Sequence, residues 1–283
     1  MLKTIPEDAS SNSIDSPALA ILLLSLSIIS CKESTRKEDG KLTVVTTTSM
    51  ITDLVKNIGG DAIQVQGLMG SGVDPHLYKA SEGDVSKLIN ADAIFYNGLH
   101  LEGKLVEVFE QMQYQNIKTY AIAEVLDKNT LIDSDYFKSN YDPHIWFNID
   151  YWIEAGGYVS KKLQELNPEN ATSFDTNWKS YLSKLQAVKN KIKATISTLP
   201  REKRVLVTAH DAFNYFGKSF GFEVVGLQGL STATEAGVQD VQRLSGFIIE
   251  KKVKAIFVES SVPKRTIEAL QAAVNSKNHK VEI

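Results

Sequence analysis

Between Pro168 and Pro200 no proline or glycine interrupts the chain, and apolar residues recur there at Ala171, Phe174, Trp178, Leu182, Leu185, Val188, Ile192 and Ile196. Steps of three and four mark one face of an α-helix. Asn167 can cap such a helix and Pro168 suits its first position. The stripe then runs about 30 residues, roughly 45 Å at 1.5 Å per residue. No single small domain is that wide, so the helix is expected to lie as a stiff spine along two bodies. Two helices with a break are the alternative, and nothing in the stripe supplies the break.

On both sides of the spine, short β-branched runs alternate with amphipathic segments, the pattern of α/β layers with parallel sheets. Strands are expected at Leu42 to Thr47, Ala62 to Leu68, Ala93 to Tyr96 and Lys118 to Ala121. Helices fall at Ser49 to Ile58, stopped by Gly59-Gly60, at Val85 to Ile89, opened by Ser81 or Asp84, and at Gly103 to Gln111. After the spine come strands Arg204 to Ala209, Glu223 to Leu227, Ala255 to Val258 and Lys280 to Ile283, with helices near Asp211 to Ser219, Val238 to Glu250 and Pro263 to Val274. With 283 residues, 43% hydrophobic and 23% charged, there is room for two such domains. A net charge of −3 and dispersed lysines give no basic field, which argues against nucleic acid as a partner.

The lone cysteine, Cys31, closes the most apolar stretch, Ala18 to Ile29. Twelve residues match a signal-peptide core and are too short to span a bilayer comfortably. Ile28-Ile29-Ser30-Cys31 resembles a bacterial lipobox, so residues 1–31 are read as a lipoprotein signal peptide, Cys31 as the lipid anchor and residues 32–41 as a tether. Met1 to Ser16 departs from the pattern, with Glu7, Asp8 and Asp15 against Lys3 alone, which a misassigned start codon explains. With Cys31 lipidated, no thiol remains, and a metal site would have to use histidine and carboxylates.

Asp-Pro-His occurs twice, at Asp74-Pro75-His76 and Asp142-Pro143-His144, each with an aromatic residue two positions on, Tyr78 and Trp146. A third histidine, His210, directly follows the apolar run Val205 to Ala209. Separations of 144 − 76 = 68 and 210 − 144 = 66 residues are too wide for a zinc finger or one helix turn. In α/β folds ligands gather beyond the carboxyl ends of strands. Two facing domains would put His76 and His144 on one wall of a cleft and His210 on the other, around one divalent cation. Proline stiffens each loop in advance. Asp74, Asp142 and Asp211 adjoin the histidines; local turns and caps are their favoured role over orienting the imidazoles. His100 is read as a supporting residue in a turn and His279 as a surface residue at the start of a strand.

These residues resemble the zinc/manganese group of solute-binding proteins of bacterial ABC importers, from about Lys41 to the last residue. The matching stretches are Thr46-Thr47-Thr48-Ser49-Met50-Ile51-Thr52-Asp53, Gly59-Gly60-Asp61, Gly72-Val73-Asp74-Pro75-His76-Leu77-Tyr78, Asn97-Gly98-Leu99-His100-Leu101-Glu102, Asp142-Pro143-His144-Ile145-Trp146, Thr208-Ala209-His210-Asp211-Ala212-Phe213 and Phe257-Val258-Glu259-Ser260. The resemblance implies two (β/α) lobes with parallel four-stranded sheets, joined by one rigid helix, with metal in the cleft between them. The expected bounds are 42–166 for the first lobe, 167–199 for the helix and 203–283 for the second.

The resemblance places the family's first three metal ligands on His76, His144 and His210. Manganese-preferring members often carry Glu at the third position; three imidazoles favour Zn2+, with Mn2+ still open because the linker Leu126 to Tyr141 lacks the histidine-rich loop of many zinc importers. The family's fourth ligand, usually an Asp, follows the strand that here reads Lys280-Val281-Glu282-Ile283, where this sequence stops. The chain is therefore expected to be C-terminally truncated, or else to leave a position for water. The implied role is a monomeric, membrane-anchored receptor of the cell envelope that passes metal to an ABC permease and binds it less well in acid, where protons compete for imidazole. The rivals are a zinc-dependent hydrolase, with Glu259 as a base, and a surface adhesin. The sequence lacks the H-E-x-x-H, Gly-x-Ser-x-Gly and phosphate-loop patterns of common hydrolases, and no feature of it calls for adhesion.

Overall fold

The computed structural model describes residues 40–134 and 141–283. The signal segment, Cys31 and the tether up to residue 39 lie outside the described residues, and Lys41–Ile283 form one compact unit. Its first lobe opens with β1 (Leu42–Thr46), α1 (Ser49–Gly59) and β2 (Ile63–Gly67), followed by α2 (Glu82–Ile89), β3 (Ala93–Tyr96), α3 (Val106–Tyr114) and β4 (Lys118–Ala121). The four strands pair in the order β2-β1-β3-β4, all parallel. Val44 and Val45 on β1 point to opposite faces and both are fully buried, as a parallel sheet covered on both sides requires.

Local chemistry sets the helix ends. The Thr48 hydroxyl accepts the Ile51 N–H to start α1, and Gly60, at φ +52°, ends it. Ser81 and Asp84 form a reciprocal capping box that opens α2. The α3 helix begins three residues later than expected, after a turn that holds Leu99 and His100 at positive φ.

A further helix, α4 (Ile149–Leu166), goes beyond the elements expected from the sequence. The Asn148 side chain accepts the N–H groups of Asp150 and Tyr151, and Trp152, Ala155, Val159 and Leu163 turn one face into the core. The spine follows as α5 (Ala171–Ser197), 27 residues long, or about 40 Å. Pro168–Asn170 form a separate 3-10 turn, and Asn167 makes no side-chain cap. Phe174 is fully buried, Trp178, Tyr181 and Leu185 pack on the first-lobe core, and Val188 is exposed. The spine thus lies on the molecule's surface as a brace. Its far end is fastened by the Arg204 guanidinium, which donates to the carbonyls of Ile196, Leu199 and Phe220.

The second lobe contains β5 (Val205–His210), α6 (Asn214–Phe220), β6 (Glu223–Gln228), α7 (Val238–Glu250), β7 (Ile256–Phe257) and α8 (Arg265–Asn275). Its parallel sheet has three strands, β6-β5-β7, and not the expected four. The segment expected as the fourth strand makes a single parallel bridge, Ala255 to Glu282. Val281 alone of this segment is buried in the core, so the pairing stays local. Among the described residues no helix is long and apolar enough to cross a membrane.

The packing of α4 on α5 turns on one glycine. A Cβ at Gly156 would come within 2.4 Å of the Trp178 ring, whereas at Gly157 the nearest atom would be 3.8 Å away. Gly156→Ala should therefore destabilise the protein by about 1–3 kcal/mol through overpacking. Gly157→Ala should be neutral or stabilise by up to about 1 kcal/mol through helix propensity. Urea denaturation of the two variants checks both signs.

Candidate metal centre

The repeated tripeptide is a repeated structure. Asp74 Oδ1 accepts the His76 N–H at 2.9 Å, and Asp142 Oδ1 accepts the His144 N–H at 2.9 Å. Each Asp closes a turn over its own proline and so sets the direction in which the histidine leaves the backbone. His76 stands on the loop between β2 and α2, and His144 just ahead of the 3-10 turn Ile145–Phe147. His210 is the last residue of β5, the middle strand of the second sheet.

A buried polar network under the first lobe holds the second of these turns. Glu102 Oε1 accepts the Thr47 hydroxyl at 2.7 Å and the Asn97 N–H at 2.8 Å, and Asn97 Nδ2 donates to the Pro143 carbonyl at 2.9 Å. Burial pushes the Glu102 carboxyl pKa up, and these hydrogen bonds act against that rise. From the second lobe, the Tyr215 hydroxyl donates to the Asp142 carbonyl at 2.9 Å. No role for Asn97, Glu102 or Tyr215 as individual residues was read from the sequence. Their roles rest on contacts 46 or more positions apart for Asn97 and Tyr215, which no local pattern displays.

Asp142 acts both in the turn and on the ring, since its Oδ1 also lies 2.7 Å from His144 Nδ1. That carboxylate holds the ring proton on Nδ1 and leaves the Nε2 lone pair facing the cleft. Asp211, by contrast, accepts the Gly226 N–H in the neighbouring strand. The carboxylate beside the His210 ring is Glu259, whose Oε1 lies 2.8 Å from Nδ1. The two atoms are out of line for a hydrogen bond and each is buried without an aligned partner. Glu259 Oε2 also accepts the Ala209 N–H at 3.3 Å, which keeps the carboxylate against the end of β5.

The three rings meet in the cleft. Their centroids are 5.2 Å apart for His76 and His144, 5.4 Å for His144 and His210 and 5.9 Å for His76 and His210, and the relative exposures are 7%, 1% and 6% in chain order. One nitrogen from each falls within 4.8 Å of the other two, so the cluster could hold a metal ion. The Nε2 atoms of His76 and His144 are 3.2 Å apart. Two nitrogens bound to a tetrahedral zinc at 2.0–2.1 Å stand about 3.3 Å apart, so this pair is already at a ligand spacing. Burial, and then the neighbouring His144 and His210, push the His76 pKa down to about 2, so its imidazole is neutral over the physiological range.

The rings open into a cavity of about 270 Å³ that Gly70, Asp74, Trp146, Glu259 and Ser260 also line. A larger cavity of about 590 Å³, walled by Trp152, Leu185, Ile192, Phe213 and Phe216, is apolar and offers a cation nothing to bind. His100 and His279 stand outside the cluster. His279 Nε2 is 2.7 Å from the Val253 carbonyl, and this half-buried residue is thus tied to backbone and is not a simple surface group. His100 occupies a left-handed turn, as expected.

Residues 44–282 match the family described as zinc-uptake complex component A, periplasmic. The manganese-binding lipoprotein MntA of Bacillus subtilis is 44% identical over 266 residues, covering 93% of this chain and 86% of that protein. The zinc-binding protein TroA of Treponema pallidum is 44% identical over 245 residues, covering 87% and 79%. The solved structure of the Treponema pallidum periplasmic zinc-binding protein TroA superposes with a TM-score of 0.83, covering 86% of this chain and 87% of that one.

The depressed His76 pKa has a consequence for the metal-free protein. Between about pH 6.5 and 2 the unfolded chain binds a proton at His76 that the folded chain refuses, so stability falls as pH falls below 6.5. In chelator, the unfolding free energy should drop towards pH 5, and His76→Gln should flatten that slope by up to one proton, about 1.4 kcal/mol per pH unit. Urea melts at pH 7, 6 and 5 measure it; an unchanged slope in the variant would contradict the assignment.

Proposed function

The chain belongs to the zinc-uptake complex component A periplasmic family, and from that premise we propose that it captures one divalent transition-metal ion on His76, His144 and His210 and passes it to the permease of an ABC importer. The observation that carries this reading is the convergence of three buried imidazoles from two lobes on one point. Neutral imidazole is a good ligand for zinc and a fair one for manganese. Three nitrogens with a water or carboxylate oxygen in a fourth position fit zinc's tetrahedral preference, and zinc leads on that ground. The relatives named for zinc and for manganese are equally identical to this chain at 44%, so similarity alone does not choose between the metals.

Capture replaces the hydrogen bond between the Nε2 atoms of His76 and His144: the proton on His76 Nε2 passes to its own Nδ1 through water, and both Nε2 lone pairs turn to the incoming cation. The carboxylate of Asp142 steadies the His144 ring while this happens. His210 then closes the site from the second lobe, with Glu259 behind it. Because one long helix joins the lobes, the change between states is a small shift of loops and lobes, not a wide rotation. In this reading the lobes are residues 42–166 and 203–283 about a 167–199 linker, and the receptor is a monomer held outside the cytoplasmic membrane by lipid on Cys31. In this reading it is a receptor and not an enzyme: Glu259 lies behind the His210 ring and accepts the Ala209 N–H, which leaves it poorly placed as a base for a hydrolytic water. Adhesion is not its primary role, since the buried cluster serves an ion and not a protein surface.

Thermal unfolding with zinc, manganese or chelator tests the proposal. A metal at a hundred times its Kd should stabilise the protein by about 2.7 kcal/mol. His76→Ala should lose most of that gain. A gain that survives unchanged in the variant would place the metal elsewhere. Ester or peptide hydrolysis by the same samples, abolished by chelator, would favour the enzyme instead.

A further inference from the structure

Each Asp-Pro-His aspartate has a second carboxylate oxygen, and in both copies it turns outward to the other lobe. Asp142 Oδ2 accepts Asn214 Nδ2, on α6, at 3.3 Å. Asp74 Oδ2 accepts the hydroxyl of Thr232, from the loop that follows β6. The second contact is the tighter, and Thr232 is buried, at 9% exposure. One carboxylate therefore holds the His76 N–H with one oxygen and the opposite lobe with the other.

The surroundings reinforce this link. Gly72, on the same loop as His76, runs so close to the second lobe that a Cβ there would sit 3.4 Å from the Ser260 carbonyl oxygen. At φ +79° Gly72 lets the loop turn where an L side chain would be strained. Threonine is well matched to this contact, because its branched side chain has few rotamers and a hydroxyl donating to a part-buried carboxylate makes a charge-assisted bond.

We propose that Thr232 is a positioning residue for metal capture, and that the Asp-Pro-His aspartates are clasps that tie the metal-binding loops to the opposite lobe. This rests on the metal-receptor reading and extends it. Closing the lobes makes the Thr232–Asp74 bond and sets His76 in place. Parting them breaks that bond and frees the His76 loop to let the ion go. Retention of the metal and closure of the cleft are thus one event, coupled through a residue that never touches the ion.

The test measures zinc release from loaded protein into excess chelator by stopped flow, with cobalt as a spectroscopic check on the ligand set. Thr232→Val keeps the shape and loses the hydroxyl; it should release zinc on the order of tenfold faster, equivalent to ~1.4 kcal/mol, with an unchanged cobalt ligand-field spectrum. Thr232→Ser keeps the hydroxyl and should restore release to within about twofold of the original rate. Metal-free melting curves of both variants report folding separately. Release at the original rate from Thr232→Val, or equally fast release from Thr232→Ser, would overturn the clasp while leaving the histidine site intact. A wild-type protein that binds no zinc, cobalt or manganese would instead overturn the receptor reading, and the clasp with it.

Discussion

The cleft gathers three buried imidazoles around one point, and the constraint on which the site depends is that the His76 ring stays uncharged there. Two protonated rings at the His76–His144 spacing would repel each other in a site with little water to screen them. The cleft resolves this by keeping His76 neutral through burial and by facing its Nε2 towards that of His144. The cost is a site strained against acid. The benefit is a set of ring nitrogens already gathered, so that little ordering remains when a cation arrives.

Holding the rings in that state takes long-range support. Asn97, held by Glu102, reaches from the end of β3 to Pro143, Tyr215 reaches from α6 to Asp142, and Arg204 fixes the far end of α5. The second lobe therefore helps to hold the wall that carries His144. The α5 helix packs on the first-lobe core and is tied to the start of the second lobe by Arg204, and under the clasp proposal a contact such as Thr232 with Asp74 is large enough to matter. A freely hinged pair of lobes would need a much larger closing interaction.

Much of this was legible in the sequence because it depends on local chemistry. The β-branched runs marked the strands, Gly59-Gly60 and Ser81 marked helix ends, and the Asp-Pro-His repeat marked two turns that proved to be alike. The α4 helix escaped, although Asn148 and the spacing of Trp152, Ala155, Val159 and Leu163 encode it. Its central Gly156-Gly157 pair looks like a breaker until Trp178 is seen against Gly156. The expected fourth strand of the second sheet failed because β-propensity says nothing of how many residues a partner offers for pairing, here one bridge. The carboxylate beside His210 was not legible either, although the favoured reading of Asp211 as a group that serves backbone agrees with its contact to the Gly226 N–H. Asp211 is adjacent in sequence, but β7 delivers Glu259 to the ring from 259 − 210 = 49 residues away.

The central claim, that one ion is shared by His76, His144 and His210 through ring nitrogens, is tested most directly by X-ray absorption spectroscopy of the zinc-loaded protein. The account expects a first coordination sphere with three imidazole nitrogens at about 2.0–2.1 Å, any remaining ligand being oxygen. A sphere of oxygens alone, or of one imidazole with oxygens, would contradict it and would mean that the three rings gather for some other purpose.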